Sequence, residues 1–261
     1  MRTGVVRALA PRPIVGCAIG GRQRRLRIVD ANPYAYLANL ATAPGISLVE
    51  TPALSSITSG SPVPMFRRSA FRVRSVSSVD DLSGLWWIGP STPAGARAVL
   101  DAAGLAIVDE MTIMSAPLDG IGPQPGDAVI SRVRDSSGLR GWASAYAGGH
   151  GHPSSVEQEW YAVMAAVGLT GPLRYYVARL DGEAVACASV FLAAGVAGLY
   201  SVATPPEWRG RGFGTAVTVH ALADARAAGY TTATLGAEPA AVNLYRRLGF
   251  RAVGEMRVYA G

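Results

Sequence analysis

The sequence predicts an α/β (α+β) protein built on a mixed central sheet, with two tandem halves of related architecture. Three observations predict it. Short apolar and β-branched runs alternate along the chain with Ala-rich segments of helical length. Leu100–Met114 (LDAAGLAIVDEMTIM) overlays Tyr245–Tyr259 (YRRLGFRAVGEMRVY) at an offset of 145 residues, with Gly104/Gly249, Val108/Val253, Glu110/Glu255 and Met111/Met256 identical. A repeat at that spacing reads as duplication of a whole folding unit. Finally, residues 202–215 read as a strand running through a Gly-rich turn into a helix.

Residues 1–27 are Arg-, Gly- and Pro-rich without period and read as a flexible tail, in which Arg22, Arg24, Arg25 and Arg27 form a basic cluster. Residues 28–118 read as the first half. Pro33 to Leu40 predicts a short helix, because proline suits the first helical turn. Ile46–Val49, Leu54–Ile57 and Leu85–Ile88 read as strands, Ala94–Ala103 as a helix stopped by Gly104, and Leu105–Met114 as a strand. The same offset of 145 pairs Ser56-Ile57 with Ser201-Val202. Residues 119–127, rich in Pro and Gly, are the linker candidate.

The second half, 128–261, opens with a strand over Ala128–Arg134. Helices follow over Gly138–Tyr146 and Ser154–Val167, on either side of a loop holding His150 and His152. Strands are expected over Leu173–Leu180, Ala184–Ala193 and Val196–Thr204, with turns at Asp181-Gly182 and Ala194-Gly195. A helix over Gly214–Ala228, a strand over Thr231–Leu235, a helix over Ala240–Leu248 and a strand over Phe250–Val258 complete the chain.

Composition narrows the function classes. The chain has 24 basic and 18 acidic residues, and every base among the 24 is arginine. A net charge of +6 would admit a polyanion partner, but only 16% of residues are charged and the arginines are scattered, so nucleic acid is not expected. With 49% hydrophobic residues the chain has ample core material. Two cysteines, Cys17 and Cys187, exclude a disulfide framework and fit a cytoplasmic setting. Ile14–Cys17 mimics a lipid-attachment box, yet Pro11, Arg12 and Pro13 interrupt the apolar stretch that export needs. Residues 184–204 carry no charge over 21 positions, but Gly195 and Gly198 favour two buried strands over a membrane span.

The chemistry concentrates in Val202-Ala203-Thr204 and Arg209-Gly210-Arg211-Gly212-Phe213-Gly214-Thr215. A turn of alternating glycines exposes backbone N–H groups, and the helix that follows adds the positive end of its dipole, a combination suited to phosphate or pyrophosphate. The dinucleotide fingerprint needs G-x-G-x-x-G, and the nucleoside-triphosphate loop needs a lysine that this chain lacks. Arg209–Gly214 instead resembles the Arg/Gln-x-x-Gly-x-Gly/Ala coenzyme A loop of the GNAT superfamily of N-acetyltransferases. Leu244-Tyr245-Arg246-Arg247-Leu248-Gly249-Phe250 is similar to the Leu-Tyr-x-x-Leu-Gly-Phe segment that closes that fold. The resemblance covers 128–261 and implies a GNAT-type sheet there, with a degenerate GNAT-like half before it.

That resemblance implies an acetyl-CoA-dependent acyltransferase without metal. Val202, Ala203 and Thr204 would pair with the pantetheine arm, residues 209–215 would hold the pyrophosphate, and Tyr245 would act as general acid toward the thiolate. Its partners would be acetyl-CoA and a small-molecule amine, of aminoglycoside or metabolite type, with homodimerisation left open. A protein or peptide N-terminus and a non-catalytic acyl-CoA sensor are the alternatives. Two departures bear on mechanism. Glu238 stands where the family often has a cofactor-contacting asparagine, and residues 184–204 supply no carboxylate base. Glu157, Glu159, His150 and His152 are the base candidates, while His150-x-His152 makes a poor metal site without a third ligand. In the first half the offset places Pro64, Met65 and Phe66 at the turn and Leu100 at the tyrosine, and leaves Trp86 and Trp87 as core or pocket wall.

Overall fold

The charge-free stretch at 184–204 folds as a hairpin of β8 (Glu183–Ala193) and β9 (Val196–Ala203), turned through Ala194 (φ 54°) and Gly195 (φ 77°). From Val185 to Phe191 both faces of β8 are buried, Cys187 against one core and Ala186 and Ala188 against the other, so no charge could be accommodated there. Among the described residues no helix is long and apolar enough to cross a membrane. The computed structural model describes residues 22–76, 82–122 and 127–261, with 22–30 given by their backbone alone. The Ile14–Cys17 motif and most of the tail lie outside them.

The remaining strands are β1 (Ser47–Glu50), β2 (Ser55–Thr58), β3 (Arg68–Phe71), β4 (Leu85–Ile88), β5 (Ala106–Pro117), β6 (Val129–Arg132), β7 (Leu173–Leu180), β10 (Thr232–Ala237) and β11 (Arg251–Ala260). They join β8 and β9 in one 11-stranded sheet of order β1-β2-β3-β4-β11-β5-β10-β9-β8-β7-β6. Only β3/β4 and β9/β10 pair in parallel, at corresponding places on either side of the centre. The last strand of the chain thus lies inside the first half's territory, between β4 and β5. In the β5/β11 ladder Met111 faces Met256, the same two residues that the 145 offset equates. Two equivalent strands that pair antiparallel at an equivalent residue are related by a local two-fold axis through that pair. The two halves therefore exchange their final strands.

Helices cover both faces. On one lie α1 (Arg22–Leu40), α4 (Ser136–His150) and α5 (Ser154–Val167), whose Tyr36, Trp142 and Trp160 share a core with Tyr175 and Cys187. On the other, α6 (Phe213–Ala227) and α7 (Val242–Arg247) pack Val217, Leu222 and Tyr245 against Tyr176, Val190 and Leu235. In the first half α3 (Ala94–Ala102) sets Leu100 beside Trp86, Ile88 and Tyr259. The short α2 (Pro64–Arg67) leads directly into β3.

Several expectations need correction. The first helix starts at Arg22, not Pro33, so the tail's basic cluster falls on helical backbone and Pro33 sits inside the helix. Helix α4 continues through the expected loop to His150 and ends at Gly151 (φ 67°). Neither α2 nor β3 was expected, because four residues are too few to show a period. The offset of 145 does not hold at Ser56/Ser201, since β2 is separated from β4 by β3 whereas β9 adjoins β10. By sheet position β3 answers to β9, so the counterpart of the glycine turn and α6 is the connection at 72–84, not Pro64–Phe66. Ile121 of the linker candidate is buried, as is Leu118 just before it, whose N–H donates to the Thr231 carbonyl at 2.9 Å. Residues 123–126 lie outside the described residues.

One polar side chain of helix α1 ties it to the hairpin of β8 and β9. The fully buried Asn32 amide donates to the carbonyls of Ala193 (2.9 Å), Phe191 (3.2 Å) and Val196 (3.3 Å), and its Oδ1 accepts from the Tyr200 hydroxyl at 2.6 Å. Gly198 makes room for it, because a Cβ there would stand 1.9 Å from Asn32 Oδ1. Gly198→Ala should therefore destabilise the fold by about 1–3 kcal/mol through overpacking, read as a lowered urea midpoint. Gly60→Ala, with open space around it, should change the midpoint little.

Candidate functional site

Strands β9 and β10 pair only from Ala197/Ala233 to Leu199/Leu235, and then part. Two features open the gap. In β9 the register against β8 slips between Tyr200 and Ala203, with Ser201 at φ 51°, which bends the strand away at a bulge. The Cys187 thiol holds the bulge by donating to the Ser201 carbonyl at 3.3 Å. The result is a cavity of about 410 Å³ between the parted strands. Leu199 to Thr204 form one wall, Thr234 to Glu238 another, and Tyr245 of α7 stands between them.

The glycine turn follows at the outer end of β9. Gly210 (φ 76°) and Gly212 (φ 84°) occupy the left-handed region, which a side chain would strain. Gly212 caps α6 without a side-chain hydrogen bond, so the N–H groups of the first turn are free to meet an anion at the positive end of a 15-residue helix. At Gly214 a Cβ would come within 3.0 Å of Thr204 Oγ1. Close approach of this turn to the end of β9 therefore needs that glycine.

The structure brings Tyr245, Val202, Ala203, Thr204 and Arg209 to one cavity and sets Gly210 to Thr215 beside its rim. The two arginines differ from a simple anion clamp. Arg209 Nε donates to the Thr204 carbonyl (3.0 Å) and its Nη2 to the Gly149 carbonyl (2.7 Å), so this side chain ties the C-terminal end of α4 to β9. Arg211 is exposed and lies over the rings of Trp208 and Phe213, at 4.9 and 5.0 Å. Phe213 itself is buried, which leaves its backbone as the part of it that faces the turn.

Of the base candidates, only His150 lines the cavity. Burial lowers its pKa, with His152 and Arg209 acting in the same direction and Glu238 opposing. Its ring lies against Tyr146 (4.7 Å between centroids) and stacks on His152 (5.6 Å). The Tyr245 phenol is pushed well up by burial and by Glu238, so it stays protonated and keeps a hydrogen to donate. Its ring packs edge-on against Phe250 at 5.8 Å.

The sequence shows two contributions only in part. Glu238 is the one carboxylate among the described residues that line the cavity. The sequence singles it out at its place before Tyr245, but not as a wall of this cavity. The first half supplies much of the remaining wall, including Tyr36 and Leu37 of α1, Met65 of α2, Trp87 of β4 and Met111 of β5. Trp86, by contrast, is core, with its Nε1 donating to the Leu82 carbonyl at 2.8 Å. Trp87 was expected as core or pocket wall, whereas nothing local marks the others, which the packing of the two halves carries to the site.

Residues 139–250 match the Acetyltransferase (GNAT) family. No curated protein matches the chain. Among solved structures, a GCN5-related N-acetyltransferase from Kribbella flavida superimposes with a TM-score of 0.64 at 18% identity, covering 90% of this chain and 94% of that one. A tandem GNAT protein from the clavulanic acid biosynthesis pathway gives 0.57 at 14% identity, covering 91% and 93%. An acetyltransferase of the GNAT family from Novosphingobium aromaticivorans gives 0.52 at 18%, covering 90% and 96%. At these identities the likeness is one of fold, and the tandem protein shares the two-half architecture.

Replacement of Gly212 by valine forces a β-branched residue to φ 84°, at a strain of about 1–3 kcal/mol. Calorimetric titration with coenzyme A should show binding lost or weakened by at least about tenfold, while the Tyr245→Phe protein binds normally.

Proposed function

We propose that this chain, whose residues 139–250 form a GNAT acetyltransferase domain, is an acetyl-CoA-dependent N-acetyltransferase acting on the primary amine of a small molecule. The observation that carries this reading is the parting of β9 from β10 at a bulge, with Tyr245 between them and an uncapped helix start beyond. The cradle fits the coenzyme chemically. The unpaired stretch of β9 offers backbone groups along an extended arm, and the N–H groups of the glycine turn and α6 suit a pyrophosphate.

When bound, acetyl-CoA supplies an activated acyl carbon. The chain's own groups then have three tasks. His150, held neutral near pH 7 by burial, accepts a proton from the acceptor ammonium and so exposes the nitrogen lone pair. Backbone N–H groups at the Ser201 bulge face the oxyanion that develops as nitrogen attacks the thioester carbon. Tyr245 donates a hydrogen bond to sulfur while the C–S bond breaks. A phenol with so high a pKa stabilises the departing thiolate and is not itself deprotonated for long. The balance is simple: one C–N bond forms, one C–S bond breaks, the ammonium and amide nitrogen release two protons, and one returns to the thiol.

Tyr245→Phe should lower kcat by about 100-fold, the low end for a lost proton donor, with coenzyme affinity unchanged by calorimetry. Unchanged turnover would remove Tyr245 from the reaction. The pH profile tests the base. His150 is active when neutral, and burial holds its pKa below the ordinary imidazole value of about 6.5. Activity should therefore hold down to pH 6.5 and fall below it, and His150→Ala should remove that acidic limb.

A further inference from the structure

The wall of the cavity away from the glycine turn has a consistent chemistry. Tyr36, Leu37, Met65, Trp87, Tyr146 and Trp160 present rings, a thioether and an aliphatic chain. Their polar atoms are largely engaged elsewhere. Trp87 Nε1 donates to Ser69 Oγ at 3.1 Å, and the Tyr36 phenol, raised above the ordinary range by burial, is bonded to Ser201. Tyr36 also stacks on Tyr200 at 4.3 Å, whose hydroxyl is committed to Asn32. Trp160 and Tyr146 lie ring to ring at 4.5 Å.

Charge within the cavity is equally sparse. Arg209 has two of its donors on backbone carbonyls, and the single carboxylate is Glu238, at the exposed mouth beside His150. Every hydroxyl or ammonium group carried into such a site loses water and needs a partner in return. A polyhydroxylated amine with several positive charges would find one counter-charge and a surface of rings. An amine with one charge and an apolar body loses little, because ring faces and thioethers accept such a body and also attract an ammonium.

We propose that the acceptor is a singly charged primary amine carried on an apolar, ring-containing body. Tyr36 and Trp87 of the first half receive the body, and Glu238 attracts the ammonium. This rests on the acetyl-transfer reading and names its substrate class. It also gives the first half a role in the reaction, since the residues that choose the acceptor come from the half that has no glycine turn. Glu238, on the other side of the mouth, belongs to the half that binds the donor.

The test is release of free thiol from acetyl-CoA with three acceptors: 2-phenylethylamine, kanamycin and a tripeptide with a free N-terminus. The phenyl amine should give the highest kcat/KM. Trp87→Ala should raise its KM by about tenfold, the scale of a lost ring contact to a cationic ligand, with coenzyme A affinity within about twofold by calorimetry. Trp87→Phe, which keeps a ring and guards against a folding defect in the alanine variant, should restore most of the loss. Preference for kanamycin or the tripeptide overturns the acceptor class and leaves acetyl transfer standing. Equal KM in the wild type and both Trp87 variants also overturns it. Faster release from a longer acyl-CoA than from acetyl-CoA assigns the apolar wall to the donor, and overturns it too. No thiol release with any amine, while coenzyme A binds, overturns acetyl transfer itself.

Discussion

The antiparallel ladder between β5 and β11 is the constraint on which the molecule depends. Each strand is the last of its half, and each is hydrogen-bonded to the other half's sheet: β11 to β4, and β5 to β10. Neither half has a closed set of strands alone. The register at Met111/Met256 sets both halves at once, because a slip by one residue would turn every side chain on both strands to the opposite face. The same ladder brings Met111 and Met256 to the cavity wall. The symmetry centre of the fold and the floor of the site thus coincide.

From that centre outward the halves diverge. In the second half, β9 leads through the glycine turn into a 15-residue helix, and the N–H groups at its start have no side-chain cap. In the first half the corresponding step from β3 to β4 crosses residues 72–84 without a helix among the described residues. Tyr245 and Leu100 hold equivalent places in α7 and α3, but one phenol reaches a cavity while the other side chain fills a core. The second half thus carries the glycine turn and Tyr245, and the first half adds wall to the same cavity.

Much of this was legible in the sequence where the determinants are local. The hairpin shows in the missing charges of residues 184–203 and in its Ala-Gly turn, α5 in its period, and the glycine turn in its spacing. The identity of Met111 with Met256 announced the duplication, though not that the two residues face each other. What escaped were features set by distant partners. The first ten residues of α1 carry no apolar stripe that would mark them as helix. Trp87 and Glu238 were singled out one by one, but no sequence spacing brings them and Tyr36 together at one cavity. The offset also failed at Ser56, because the length between β2 and β4 is not that between β9 and β10.

Asn32 has a consequence for the order in which the site forms. Its hydrogen-bond partners lie 159 to 168 residues further along the chain, on the hairpin of β8 and β9. A helix made early in synthesis can pack on its own half, where Tyr34 stacks on Phe71, but gains this anchor only once the second half has closed its hairpin, because contacts of such separation form late in folding. The cavity wall carried by Tyr36 therefore closes only when the hairpin of β8 and β9 is in place. A chain halted before the hairpin would hold the first helix without the cavity it completes.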